Sequence, residues 1–248
     1  LSMAKKGAQN GDWLHAPDVA MLHRLMAASQ GLVKLVSLAP EEPGAMEFIE
    51  AVESEVTVSL AHTTADYDTA MEAFRLGARQ VTHLFNAMPA FSHRAPGVVG
   101  AALDTPLCNV ELICDGVHIH PAVVRAVFKM FGAKRVILIS DTMRAAGMPD
   151  GAYTLGGQDV TVKGKYATLA DGTLAGSVTD LMSCMKTAVS FGIPLADAVR
   201  AAAVNPAKSI GIFSRAGSLE PGKRANVVIL DENLEVKDVF FRGKPVSR

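Results

Sequence analysis

Cysteine is scarce in this chain. There are three, Cys108, Cys114 and Cys184, an odd number with no CxxC spacing. That pattern excludes a disulfide framework and fits a reducing compartment, so a cytoplasmic location is expected. Surplus charge is missing too: 24 Lys and Arg stand against 25 Asp and Glu, a formal net charge of −1, with no block of like charges. No nucleic-acid or other polyanion partner is expected, and a small anionic ligand would need local cations. No run approaches the roughly 18 apolar residues of a membrane span, so no membrane partner is expected. No signal peptide is visible in these residues either. The opening LSMAKKGAQNGDWL, without an initiator Met, reads like the middle of a loop. The natural N-terminus is therefore expected upstream.

What is present is apolar: 49% of residues, enough for a large buried core. Strand-like runs at 33–38, 56–61, 80–84, 109–114 and 135–140 alternate with helical patterns at 43–51, 66–76 and 121–130, the last with Pro at its first turn. A long Pro- and Gly-rich loop follows the third strand through 96–100. Near-continuous apolar strands in βα repeats argue a parallel sheet covered by helices. After Asp141, short strand-like pieces at 153–155, 159–162 and 166–169 with Gly turns read as a small antiparallel insertion. GTLAGS (172–177) is a possible sixth strand, followed by helices at 178–190 and 195–204, the second ending before Asn205-Pro206. The tail has strands at 226–230, 236–241 and 244–246.

Three runs end on residues able to do chemistry. VTVSLAHTTADY places His62 after a strand, QVTHLFNAM places His83 one βα unit later, and RVILISDTM ends in Asp141. By alternation Val56, Val58, Leu60 and His62 share one face. Side chains past the C-terminal ends of barrel strands point into the mouth where such folds react. Two imidazoles and a carboxylate there suit a catalytic divalent metal with a proton-transfer partner. Asp115 and His118 end the strand between those of His83 and Asp141, and His118 could be a ligand, a phosphate contact or a loop residue. Arg94, in the loop after His83, is of the type that clamps carboxylate or phosphate. Polar residues clustering after several different strands favour a barrel over an open doubly wound sheet.

With these blocks in view, the chain resembles the N-acetylglucosamine-6-phosphate deacetylases, a family of metal-dependent amidohydrolases. AKKGAQN, LAPE (38–41), THLFNAMPAFSHRAPG (82–97), DGVHIHP (115–121), SDTMRAAG (140–147), GTLAGS and NPAKSIG (205–211) match in order, and RAGSLEPGKRANVVILD (215–231) is a tail common to many amidohydrolases. The resemblance implies hydrolysis of the acetamide of N-acetylglucosamine 6-phosphate. It implies His62 and His83 as ligands of one or two divalent ions, zinc first, with iron, manganese or cobalt as alternatives. Asp141 becomes general base, then acid. Asn86 and Ala87 contact the sugar phosphate and Arg94 binds it. Asp115 and His118 join the substrate-binding residues, and His118 reaches a neighbouring subunit's phosphate site in a homodimer. Leu174, Ala175 and Gly176 line the acetamide pocket, and Ala8 and Gln9 meet the substrate at the mouth.

The family usually has His at the position of Gln9, and its remaining protein ligand, a Glu in an EGP motif, would precede Leu1. Any HxH motif of the first barrel strand is absent too. The expected fold is α/β: a (β/α)8 TIM-type metal-dependent hydrolase barrel, N-terminally incomplete, over residues 1–214. It carries a β-hairpin insertion near 152–170, and residues 215–248 supply strands of a small β-sandwich domain. The alternatives are another amidohydrolase, of cyclic amidase or deaminase type, and a catalytically silent sugar-phosphate-binding fragment. FNAMPAFSHR and the lack of a strand-end lysine suited to carboxylation weigh against the first.

Overall fold

The computed structural model describes residues 1–246. Ser247 and Arg248, the last two residues of the expected C-terminal unit, lie outside the described residues.

Five parallel strands make the central sheet: β1 (Leu35–Leu38), β2 (Thr57–Leu60), β3 (Gln80–Val81), β4 (Asn109–Ile113) and β5 (Val136–Ile139). Their spatial order is their chain order. That sequential winding is the wall of a barrel; a doubly wound sheet would reverse direction at a switch point. The register runs Leu35↔Thr57 to Leu38↔Leu60 and Val110↔Val136 to Ile113↔Ile139.

The helices follow from capping and period. Asp18 accepts a hydrogen bond from Met21 N–H and starts α1 (Val19–Ala28), α2 (Ala45–Val52) buries Ala45, Phe48, Ile49 and Val52 at i, i+3, i+4 and i+7, and Asp66, accepting from Thr69 N–H, starts α3 (Tyr67–Leu76). These pack on Val58, Leu60, Val81, Val110 and Leu112, the outward side chains of the strands, all fully buried. Each such side chain contributes roughly 1.5–3 kcal/mol of burial. The inward side chains are polar over part of the wall: Thr82 Oγ1 lies 2.7 Å from Ser59 Oγ and 3.1 Å from Ser37 Oγ, which ties β1 and β2 to the residue after β3.

Several expectations are corrected. The loop expected through 96–100 becomes helix α4 (Gly97–Asp104), because its Gly and Ala residues let it pack closely and burial repays the ordering. Helix 195–204 does not stop before Asn205-Pro206. It runs from Leu195–Val199 through a π turn, Arg200–Val204, into Asn205–Ser209. Asn205 N–H reaches back to Arg200 O, and the wider turn seats Pro206, which has no N–H to donate. GTLAGS is no sixth strand: Gly176, at φ 70°, breaks it into two isolated bridges, Thr142↔Ser177 and Thr168↔Leu174.

The insertion is a three-stranded antiparallel meander, β6 (Gly151–Leu155), β7 (Gln158–Lys163) and β8 (Tyr166–Thr168), rather than a single hairpin. It has its own small core, in which Val160, Val162 and Ala167 meet Met143, Ala145, Ala175 and Ala8. The tail strands β9 (Val227–Leu230), β10 (Val236–Phe241) and β11 (Lys244–Pro245) form a separate antiparallel sheet in the order β11-β10-β9. Among the described residues no helix is long and apolar enough to cross a membrane.

Candidate active site

His62 and His83 do not continue the alternation of their strands. β2 ends at Leu60 and β3 already at Val81. The backbone then turns left-handed, with φ of 45° at His62, 33° at His83 and 50° at Asp141 after β5. Strict alternation would put His62 on the side of Val58 and Leu60, against the helices. The turn sends it to the barrel mouth instead, into a cavity of about 520 Å³ that it shares with His83 and Asp141.

The two imidazoles meet edge to face, with Nε2 atoms 3.0 Å apart. His62 Nδ1 lies 2.8 Å from the carbonyl oxygen of Lys5, which can only accept, so Nδ1 carries the proton and Nε2 presents a lone pair toward His83. Gly7 packs against the same ring, where an added Cβ would sit 3.5 Å from Cε1. Burial holds both histidines below the ordinary imidazole pKa, and for His83 the nearby His62 adds to it; the Asp141 carboxylate opposes the shift at both. Neutral imidazoles are the form that ligates metals.

Asp141 is clamped by the Gly176–Ser177 turn. Ser177 N–H donates to Asp141 O at 2.8 Å, Met143 N–H to Ser177 O at 2.9 Å, and Ser177 Oγ to Ser140 O. A Cβ on Gly176 would lie 2.9 Å from Asp141 O, so the close approach requires glycine. His118 also faces the cavity. Its Nδ1 is 2.7 Å from Asp115 Oδ2, which leaves Nε2 for a ligand. Burial works to raise the Asp115 pKa, but hydrogen bonds from the His118 side chain and from the N–H groups of His118 and Val117 outweigh it and hold the carboxyl low.

Of the sequence-predicted residues, Ala8, Gln9, Asn86, Ala87, His118, Leu174 and Gly176 line this cavity with His62, His83 and Asp141. Asp115 is buried behind His118, and Ala175 is fully buried in the wall beneath its neighbours. Arg94 is exposed and lies outside the lining. Lys5, Ile113, Thr142, Met143 and Leu155 line the cavity without having been singled out. Lys5 belongs to the AKKGAQN block, but its main-chain contact to His62 carries no side-chain signature. Burial pushes the thiols of Cys108, Cys114 and Cys184 up to about 12, which suits inert core residues.

The fit to a divalent ion can be judged from the donors. Metal–imidazole bonds of about 2.0–2.1 Å let one ion reach two nitrogens 3.0 Å apart. His83 Nδ1 is buried and has no hydrogen-bond partner. Two neutral nitrogens beside a carboxylate fit a divalent cation, although among the described residues no three His, Cys, Asp or Glu side chains form a complete cluster.

A family model described as the amidohydrolase family matches residues 17–246. The N-acetylglucosamine-6-phosphate deacetylase of Bacillus subtilis (strain 168) is 40% identical over 245 residues, 98% of this chain and 62% of its own length. The N-acetylgalactosamine-6-phosphate deacetylase of Escherichia coli O157:H7 is 38% identical over 244 residues, 98% of this chain and 64% of its own. Among solved structures, a mutant N-acetyl-D-glucosamine-6-phosphate deacetylase from Mycobacterium smegmatis, in complex with N-acetyl-D-glucosamine-6-phosphate, superposes with a TM-score of 0.94 at 38% identity. That match covers 99% of this chain and 66% of that one. The chain thus spans a little over three-fifths of the length of the curated relatives it matches.

Proposed function

This chain belongs to the amidohydrolase family, and from that premise we propose that its cavity serves hydrolytic deacetylation of N-acetylglucosamine 6-phosphate, yielding glucosamine 6-phosphate and acetate. The observation that carries the reading is the convergence of His62 and His83 Nε2 beside Asp141 in one cavity. The cavity's size falls within the roughly 300–1,000 Å³ common for small-molecule sites.

His62 and His83 would hold one divalent ion, zinc in the first instance, with iron, manganese or cobalt as substitutes. When bound, such an ion polarises a carbonyl and acidifies water. Asp141 accepts the proton of the attacking water and returns it to the departing amine. The Ser177 clamp keeps the Asp141 backbone in place throughout. His118, oriented by Asp115, and Lys5 supply the local cationic and donor groups that the near-neutral chain lacks globally. With Asn86 and Ala87 they take the phosphate, so that remote binding energy positions the scissile bond. Gln9 and Ala8 meet the sugar at the mouth, and Leu174 and Gly176 flank the acetamide. Arg94, outside its own cavity, is assigned to the phosphate of a second copy in a homodimer. His118 lines the cavity of its own chain, so it serves that site first. The tail sheet is assigned to a small β-sandwich and the location to the cytoplasm.

A panel of N-acetylglucosamine 6-phosphate, N-acetylgalactosamine 6-phosphate and cyclic amides, followed by acetate release with added zinc, tests the reading. Turnover of the sugar phosphates alone is expected; turnover of the cyclic amides instead would replace it with another amidohydrolase activity. The two-imidazole donor set favours one second reading, a silent sugar-phosphate binder, which would bind the ligand without stoichiometric metal and release no acetate.

A further inference from the structure

Glu41 closes the LAPE block just beyond β1 and is not among the residues lining the catalytic cavity. The hydrolysis proposed above gives it no task. Its carboxylate nevertheless accepts three hydrogen bonds, all from the two residues that follow His62. Thr63 Oγ1 donates to Oε2 at 2.5 Å, Thr64 N–H to Oε1 at 2.5 Å, and Thr64 Oγ1 to Oε1 at 2.9 Å. Thr63 is fully buried, and its hydroxyl also accepts from Ala65 N–H at 2.8 Å. Its own N–H donates to Ala87 O at 3.0 Å, in the loop that follows His83. One carboxylate from the β1 loop therefore pins the segment after β2, and that segment is pinned in turn to the segment after β3.

His62 needs such support. A left-handed backbone costs a non-glycine residue about 1–2 kcal/mol and persists only where its surroundings enforce it. The Lys5 carbonyl restrains the ring of His62, and Ser2 N–H binds its carbonyl at 2.8 Å. Neither reaches Thr63 or Thr64, the residues into which the turn continues.

We propose that Glu41 is a positioning residue for the ion site: by clamping Thr63 and Thr64 it holds the turn that aims His62 Nε2 at His83. The proposal rests on the reading of His62 and His83 as metal ligands. Outer partners of this kind typically tune metal affinity by about 10–100-fold. In Glu41→Gln the amide oxygen can still accept from Thr64, and the amide N–H can donate to the Thr63 hydroxyl, so the clamp survives without the charge.

Zinc affinity, measured by competition with a chromophoric chelator, is the test, with thermal unfolding of the metal-free protein alongside. Glu41→Ala should bind zinc about tenfold or more weakly, and Glu41→Gln should bind within about threefold of the parent. Thr63→Val, which removes one arm of the clamp, should weaken zinc in the same direction and serves if Glu41→Ala does not fold. Asn205→Ala is the control for general destabilisation: it removes buried hydrogen bonds to Ala133 O and Val136 O far from the mouth, and zinc affinity should hold. Unchanged affinity in Glu41→Ala, or an equal loss in Asn205→Ala, overturns the positioning role. If His62→Ala binds zinc as well as the parent, the ion site itself is wrong, which separates that failure from this one.

Discussion

Burial sets the protonation of the site, and substituting single groups reads it out. Desolvation favours neutral His62 and His83, the form that ligates metals, and the hydrolysis proposed above leaves Asp141 to move the proton. Asp141→Asn should therefore leave zinc affinity near that of the parent and lower kcat by about 10²–10⁴-fold, with isothermal titration and an acetate assay as the paired readouts. Near-normal turnover would remove Asp141 from the role. Glu111 offers a second residue-level test. Burial lifts its pKa from 4.5 to about 7, against hydrogen bonds from Gln80 and from the His83 backbone. Between those values the folded chain holds a proton that the unfolded chain has released. The contribution to stability is thus fully present below about 4.5 and lost as pH rises through about 7. Glu111→Gln should flatten that decline, by up to about 3 kcal/mol between pH 4.5 and 8 in denaturant titrations. A parallel decline in both proteins would show that Glu111 does not titrate in this range.

At the scale of elements, what alternation and capping can express was readable, and what backbone reversal expresses was not. The runs around 56–61, 109–114 and 135–140 became β2, β4 and β5 because their outward Val and Leu side chains bury against helices, a period visible in any sequence. The predicted strand at 80–84 shrank to Gln80–Val81, since Thr82 and His83 already belong to the turn that aims the imidazole. The enrichment of Asn, Asp and His at such turns is too weak a mark to locate one in a sequence. The helix past Pro206 was missed for a similar reason: the missing N–H of proline is visible, but the π turn that seats it is not. Among site residues, those at strand ends were legible, whereas Lys5 and Leu155 reach the cavity through tertiary packing alone. Gly176 tests how tightly the turn is built. Gly176→Ala forces a Cβ against Asp141 O at φ 70°, which should cost on the order of 1–3 kcal/mol and depress kcat more than KM. A variant as stable and active as the parent would mean the clamp has slack.

For the whole molecule, two cores share the site. The barrel core carries His62 and His83 at its rim, and the smaller core of the insertion joins Ala8 to Met143 and Ala175 across the mouth. An ion held between the ends of β2 and β3 would add to the short ladder, the Ser59–Thr82 contact and the Thr63–Ala87 bond that already join them. At 100-fold excess over its dissociation constant, a bound ion should stabilise the fold by about 2.7 kcal/mol. Zinc should accordingly raise the melting temperature of the parent and leave that of a His62→Ala, His83→Ala variant unmoved; an equal rise in both would place the bound ion elsewhere. The shape of the main chain at His62, His83 and Asp141 has a last consequence. Beyond glycine, the side chains that tolerate such a shape best are Asn, Asp and His. Those same few are able ion holders and proton carriers. Geometry alone has thus shortened the alphabet available at the rim, and random replacement there would be filtered for conformational comfort before it was ever judged on chemistry.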